Sequence, residues 1–126
     1  MIPLSKKLRI NYDLEEHKVG KYIDGKDLYS KTIQAQAPEV IEDGTYPGNA
    51  EISIANLNPD KCFITEAYAI TDSNSNIYPI PYTNNLGRII KCFFDAAIKS
   101  ISITTNGIAY SRCNCIIKLL YTKKDS

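Results

Sequence analysis

The side chains best suited to chemistry in this chain are one histidine, His17, four cysteines, Cys62, Cys92, Cys113 and Cys115, and a scatter of carboxylates. Nucleophilic catalysis needs a base poised near neutral pH, most often histidine. His17 follows Glu15 and Glu16 in a charged stretch, which reads as a solvated position, and no local motif joins it to a cysteine. A four-thiolate zinc site needs two close pairs at spacings such as C-x2-C. Only Cys113-x-Cys115 is close, while Cys62 and Cys92 stand alone in apolar strings, so all four are expected as buried free thiols. Asp72-x-Asn74-x-Asn76 opens like a calcium loop, but Ile77 replaces the sharp-turn glycine and Thr83 the bidentate glutamate. An Asx-rich connection between strands explains the same residues. Glu15, Glu16, Glu39, Glu42, Asp43 and Asp72 lie in no apolar context that would raise a carboxyl pKa, so they read as solvated charge and not as a glycosidase pair. The chain carries neither G-x4-G-K-[ST] nor G-x-G-x-x-G. The expectation is a non-enzymatic protein without cofactor or metal.

Recognition is better represented. Ile77-Tyr78-Pro79-Ile80-Pro81-Tyr82-Thr83-Asn84-Asn85 joins tyrosine, a rigid amphipathic contact surface, to asparagine, an adaptable hydrogen-bonding group. Tyr46 and Tyr110 fall in other expected loops. Tyr46, Tyr78, Tyr82, Asn84, Asn85 and Tyr110 are therefore the candidate contacts for a glycan or a protein partner. The competing expectation is that the tyrosines pack over a sheet edge with their hydroxyls in solvent.

The elements that must position these residues are strands. Isoleucine occurs 19 times, threonine 8 and valine 2, with nine tyrosines besides, and such side chains fit a pleated, half-buried surface. Residues 51–56 and 100–104 alternate apolar and polar with period two. Further strands are expected at 19–23, 28–33, 62–70, 77–82, 89–94, 98–104 and 114–122. Asp24-Gly25 would close a first hairpin with both residues at positive φ, and Asn106-Gly107 would turn the chain towards the last strand. Pro79 and Pro81 make 77–82 an edge strand. The 114–122 strand is apolar on both faces and should be central, or sandwiched between a core and a neighbouring subunit. Residues 13–19 could form one helical turn, with Asp13 as N-cap and Glu16 as its capping-box partner. Residues 34–49 read as a long surface connection. Seven or eight short strands with frequent turns describe an all-β, antiparallel, jelly-roll-like β-sandwich. Its single domain is expected over 13–126, with residues 1–12 as an N-terminal arm.

The net charge of +1, from 15 basic and 14 acidic residues, gives no footprint for nucleic acid. No apolar stretch approaches the roughly 20 residues that cross a bilayer, so membrane insertion is not expected. Met1-Ile2-Pro3-Leu4 runs at once into Ser5-Lys6-Lys7, without a secretory apolar region. Free thiols favour folding in a reducing cytoplasm.

Tyr12-x2-Glu15-Glu16-x2-Val19-Gly20-x-Tyr22-Ile23-Asp24-Gly25-Lys26-x-Leu28-Tyr29-x-Lys31-Thr32 resembles a segment of bacteriophage and prophage tail-fibre or minor structural proteins. Ser73-Asn74-Ser75-Asn76-Ile77-Tyr78-Pro79-Ile80 is similar to that group's S-N-G-N-x-Y-P-L hairpin, and Leu119-Leu120-Tyr121-Thr122-Lys123-Lys124-Asp125 to its closing L-x-Y-T-K-T. Three positions depart from the pattern: Tyr22 stands where tryptophan is usual, Asp27 where proline is, and Ser75 where the hairpin glycine is. The resemblance implies a virion structural module of a tail or head fibre, made in the bacterial host cytoplasm. Its work would be host attachment or fibre assembly by multivalent non-covalent binding, often as a homotrimer. Partners would be other virion proteins and host cell-surface glycan, and no catalytic residues carry over. A stand-alone carbohydrate-binding β-sandwich module is the alternative expectation.

Overall fold

The computed structural model describes residues 14–71 and 75–124; the expected arm at 1–12, Asp13 and the Asp72–Asn74 start of the calcium-like sequence lie outside them. Within these residues run β1 (His17–Lys21), β2 (Asp27–Gln36), β3 (Ala50–Ser53), β4 (Pro59–Ile70), β5 (Ile77–Pro79), β6 (Tyr82–Thr83), β7 (Ile89–Asp95), β8 (Ser100–Thr105) and β9 (Asn114–Lys123). They form two antiparallel sheets, in the orders β1-β2-β9-β4-β5 and β3-β8-β7-β6. The connections nest as in a jelly roll: β2 lies beside β9 in one sheet, and β3 beside β8 in the other. The fold is an all-β sandwich.

Period two decides which side chains meet between the sheets. On β9, Cys115, Ile117, Leu119 and Tyr121 point inward and are buried. They meet Ile33 on β2 and Ala67 and Ala69 on β4, against Ile90, Ile101 and Ile103 from the second sheet. Burying each such isoleucine or leucine stabilises the fold by about 1.5–3 kcal/mol. The opposite face of β9 carries Ile116 and Leu120, which is why the strand reads as apolar on both sides. It is the central strand of the five, as expected.

Several local expectations change in the structure. At Tyr22–Gly25 the Gly25 amide donates to the Tyr22 carbonyl and the Tyr22 amide to the Lys26 carbonyl. Only Gly25 has positive φ, at 87°, so the hairpin is a type I turn closed by a glycine bulge and not a two-residue primed turn. The 77–82 run is two edge strands: β5 ends at Pro79, and after Ile80 and Pro81 the chain enters β6 in the other sheet. The peptide between Ile80 and Pro81 is cis. The 13–19 helical turn is not formed over the described residues, because His17 already belongs to β1 and Glu16 is engaged by Tyr121 and Lys123. Strand 51–56 stops at Ser53 and gives way to a short 3-10 turn over Ala55–Leu57. The 34–49 connection is not wholly superficial: β2 runs to Gln36, and Ala37 and Val40 are buried.

Both ends of the described chain sit at one end of the sandwich. Glu16 accepts hydrogen bonds from Tyr121 and Lys123 near the close of β9. The loops 37–46, 84–88 and 106–112 gather around the start of β9 instead. The ten residues of β9 separate these two ends, by about 30 Å at the rise of an extended strand.

Candidate binding loops

Three of the six candidate contacts form one aromatic cluster. The rings of Tyr78 and Tyr82 lie 4.7 Å apart, and Tyr110 meets them edge-on at 5.8 and 6.4 Å. The reason is the crossing between the sheets: β5 and β6 belong to opposite layers, so their tyrosines close the open side between them. Tyr110 is buried, which makes it a piece of core and not a contact offered to a ligand. Burial, and then the neighbouring Tyr82 and Tyr78, push its phenol above the ordinary value, against the pull of a hydrogen bond with Asn84. Tyr78 also receives a hydrogen bond on its hydroxyl from the Asn76 amide, at 3.0 Å. The expected packing of tyrosines over an edge describes Tyr78 and Tyr82, both partly buried.

Asn84 acts on the backbone. Its side-chain oxygen accepts from the Leu86 and Arg88 amides at 2.9 and 3.0 Å, which holds the 84–88 turn. Asn85 lies exposed on that turn, and Tyr46 is half exposed on a different loop.

Sequence reasoning missed the residue that ties these loops together. Asp43 accepts from the Ile108 amide at 3.0 Å and from the Arg88 guanidinium at 3.0 Å. Those partners lie 65 and 45 residues away, so no local pattern signals them. The Ile108 amide first, and Arg88 after it, hold the Asp43 carboxyl below its ordinary value against partial desolvation. A Cβ on Gly44 would stand 3.3 Å from the central carbon of the Arg88 guanidinium, and the Gly44 amide donates to the Asn106 carbonyl. Around this clamp four large apolar side chains face solvent: Ile41 at 83% exposure, Leu86 at 68%, Ile108 at 53% and Tyr46 at 52%. Loops pinned by a shared carboxylate while exposing apolar side chains make a preorganised contact surface.

The residues weighed for catalysis are dispersed. His17 is exposed on edge strand β1. Cys113 and Cys115 are buried, Cys62 and Cys92 are partly buried, and none of the four is in a disulfide. Glu39 pairs with Arg112 and Asp43 with Arg88. The expectation that Glu16 is simply solvated is corrected, since its carboxylate accepts from Tyr121 and Lys123 in a half-buried position. Among the described residues no group of three or more His, Cys, Asp and Glu side chains converges on a metal-sized site.

Comparison with family models, curated proteins and solved structures finds no match to this chain.

Proposed function

We propose that this protein is a non-enzymatic phage or prophage virion structural module, part of a tail or head fibre, that serves host attachment or fibre assembly. The observation that carries the reading is the loop cluster: Asp43 clamps three loops, and Ile41, Tyr46, Leu86 and Ile108 stand exposed around it. Single surface apolar residues are ordinary, but four on rigidly connected loops at one end of a sandwich suit a partner surface. The resemblance in the 12–32 segment supplies the virion setting. Other virion proteins and host cell-surface glycan are the proposed partners. A homotrimer would present several weak contacts at once, and effective concentration would convert them into firm attachment.

Two measurements test this. Antibody raised against the purified chain and applied to particles from the bacterium encoding it should label fibres; antigen confined to the particle-free lysate overturns the virion reading. Light scattering at micromolar concentration should return three times the 14.1 kDa chain mass. A monomer throughout that range removes the trimer from the proposal.

A further inference from the structure

The outward face of the five-stranded sheet carries a patch whose composition is set by strand register. Across β2, β9, β4 and β5 one row of facing residues is Gln36, Asn114, Ile70 and Ile77. The adjoining row is Gln34, Ile116, Tyr68 and Pro79. All eight are solvent-exposed or only partly buried, and neither row contains a charge. Amides occupy the β2 side, and apolar or aromatic side chains the β4 and β5 side. The next row, Thr32, Lys118 and Glu66, brings charge back and marks the boundary. An open hollow of about 500 Å³ lies over the amide half and reaches Ile70 and Ile116. A second, of about 240 Å³, lies over Tyr68, Ile70, Ile77 and Ile116.

We infer that this patch is a binding site for an uncharged oligosaccharide segment. The backbone of β2, β9 and β4 is engaged in the sheet ladder, so polar recognition on this face falls to side chains. Those side chains are carboxamides, each able to donate and accept. That matches sugar hydroxyls, which do both. Tyr68 with Ile70, Ile77 and Ile116 offers a dry bed for the C–H face of a sugar ring. An anionic ligand would need a cation within the rows, and there is none. A second copy of the chain fits less well. Two rows over four strands span about 14 by 7 Å between Cα positions. Even doubled for side-chain margins, that footprint falls far below the roughly 800 Å² per partner of a stable interface. The inference stands apart from the virion proposal, because it concerns other residues and needs no second chain.

The test is an amide NMR titration of the full chain. The probes are uncharged tetrasaccharides built on glucose, galactose, mannose, rhamnose and N-acetylhexosamine, with tetragalacturonate as the anionic comparison. At least one uncharged probe should shift residues 34–36, 68–70 and 114–116 saturably, and tetragalacturonate should not. Gln36→Ala with Asn114→Ala should weaken that binding tenfold or more at an unchanged melting temperature, whereas Ile23→Asp, at the exposed turn of the first hairpin, should leave it as it was. No shift on this face with any probe, shifts confined to the 84–88 or 106–112 loops, equal binding of tetragalacturonate, or an unaffected double variant would each overturn the site. Antibody labelling of fibres would be untouched by any of these results, so the two proposals fail separately.

Discussion

At the scale of single residues, the structure turns on a few side chains whose work differs from their type. Ser75 adopts φ of 54°, in the left-handed region that favours glycine. Left-handed backbone costs a residue with a Cβ about 1–2 kcal/mol, part of which glycine returns through its larger unfolded-state entropy. Ser75→Gly is therefore expected to stabilise the protein by about 0.5–1 kcal/mol, read as a higher melting temperature; a lower one would show that the serine side chain contributes something the backbone angle does not reveal. Glu16 is the second case. Burial would raise its carboxyl, but the hydrogen bonds from Tyr121 and Lys123, with the Lys123 charge, outweigh it and hold the group below 4.5. A lowered folded-state pKa contributes stability that is complete above the unfolded value and disappears as pH falls through the folded one. Glu16→Gln should cost about 1–2 kcal/mol at pH 7, and urea titrations of the two proteins should converge as the pH is taken below 4. A difference that persists undiminished in acid would assign the effect to packing.

At the scale of elements, most strands were legible because isoleucine alternation and turn residues act locally. Residues 62–70 and 89–94 lie within β4 and β7, and 114–122 within β9. What was not legible depended on partners far away in sequence. The split of 77–82 follows from which sheet each half joins, a matter no window of six residues contains. Asn106-Gly107 looks like a hairpin corner but leads instead into a 3-10 turn over Ile108–Tyr110 on the way to the other sheet. Gly107 has an ordinary negative φ; it is glycine because a Cβ there would stand 2.7 Å from the Tyr110 ring and 3.1 Å from the Arg88 Cβ. Gly107→Ala should therefore cost about 1–3 kcal/mol, the range for overpacking, and broaden the amide signals of the 84–88 turn that Arg88 shares. Unchanged stability would mean that Tyr110 has room to retreat. The candidate contacts divide along the same line: Tyr78, Tyr82 and Tyr110 were recognisable by type and expected loop position, and the structure joins them, whereas the Asp43 clamp had no sequence signal.

For the whole molecule, the thiols report on integrity. Cys62 sits on one sheet and Cys92 on the other, with burial pushing them up to about 12 and about 11. The Cys113 thiol beside it, and burial after that, raise Cys115 as well. At pH 8 the thiolate fraction of Cys92 is about one in a thousand, and that of Cys62 about one in ten thousand. A disulfide-exchange reagent should thus be nearly inert towards the native protein, and all four thiols should titrate together as denaturant unfolds both sheets. One thiol that reacts ahead of the loss of circular dichroism would reveal a sheet that opens by itself. Finally, because Glu16 is fastened to Tyr121 and Lys123, polypeptide enters and leaves this sandwich at the same shoulder. A stalk joined close to Glu16 or Lys123 would meet the sandwich at this shoulder, like a bead held at its neck, with the loop-bearing tip the length of β9 away from both attachment points.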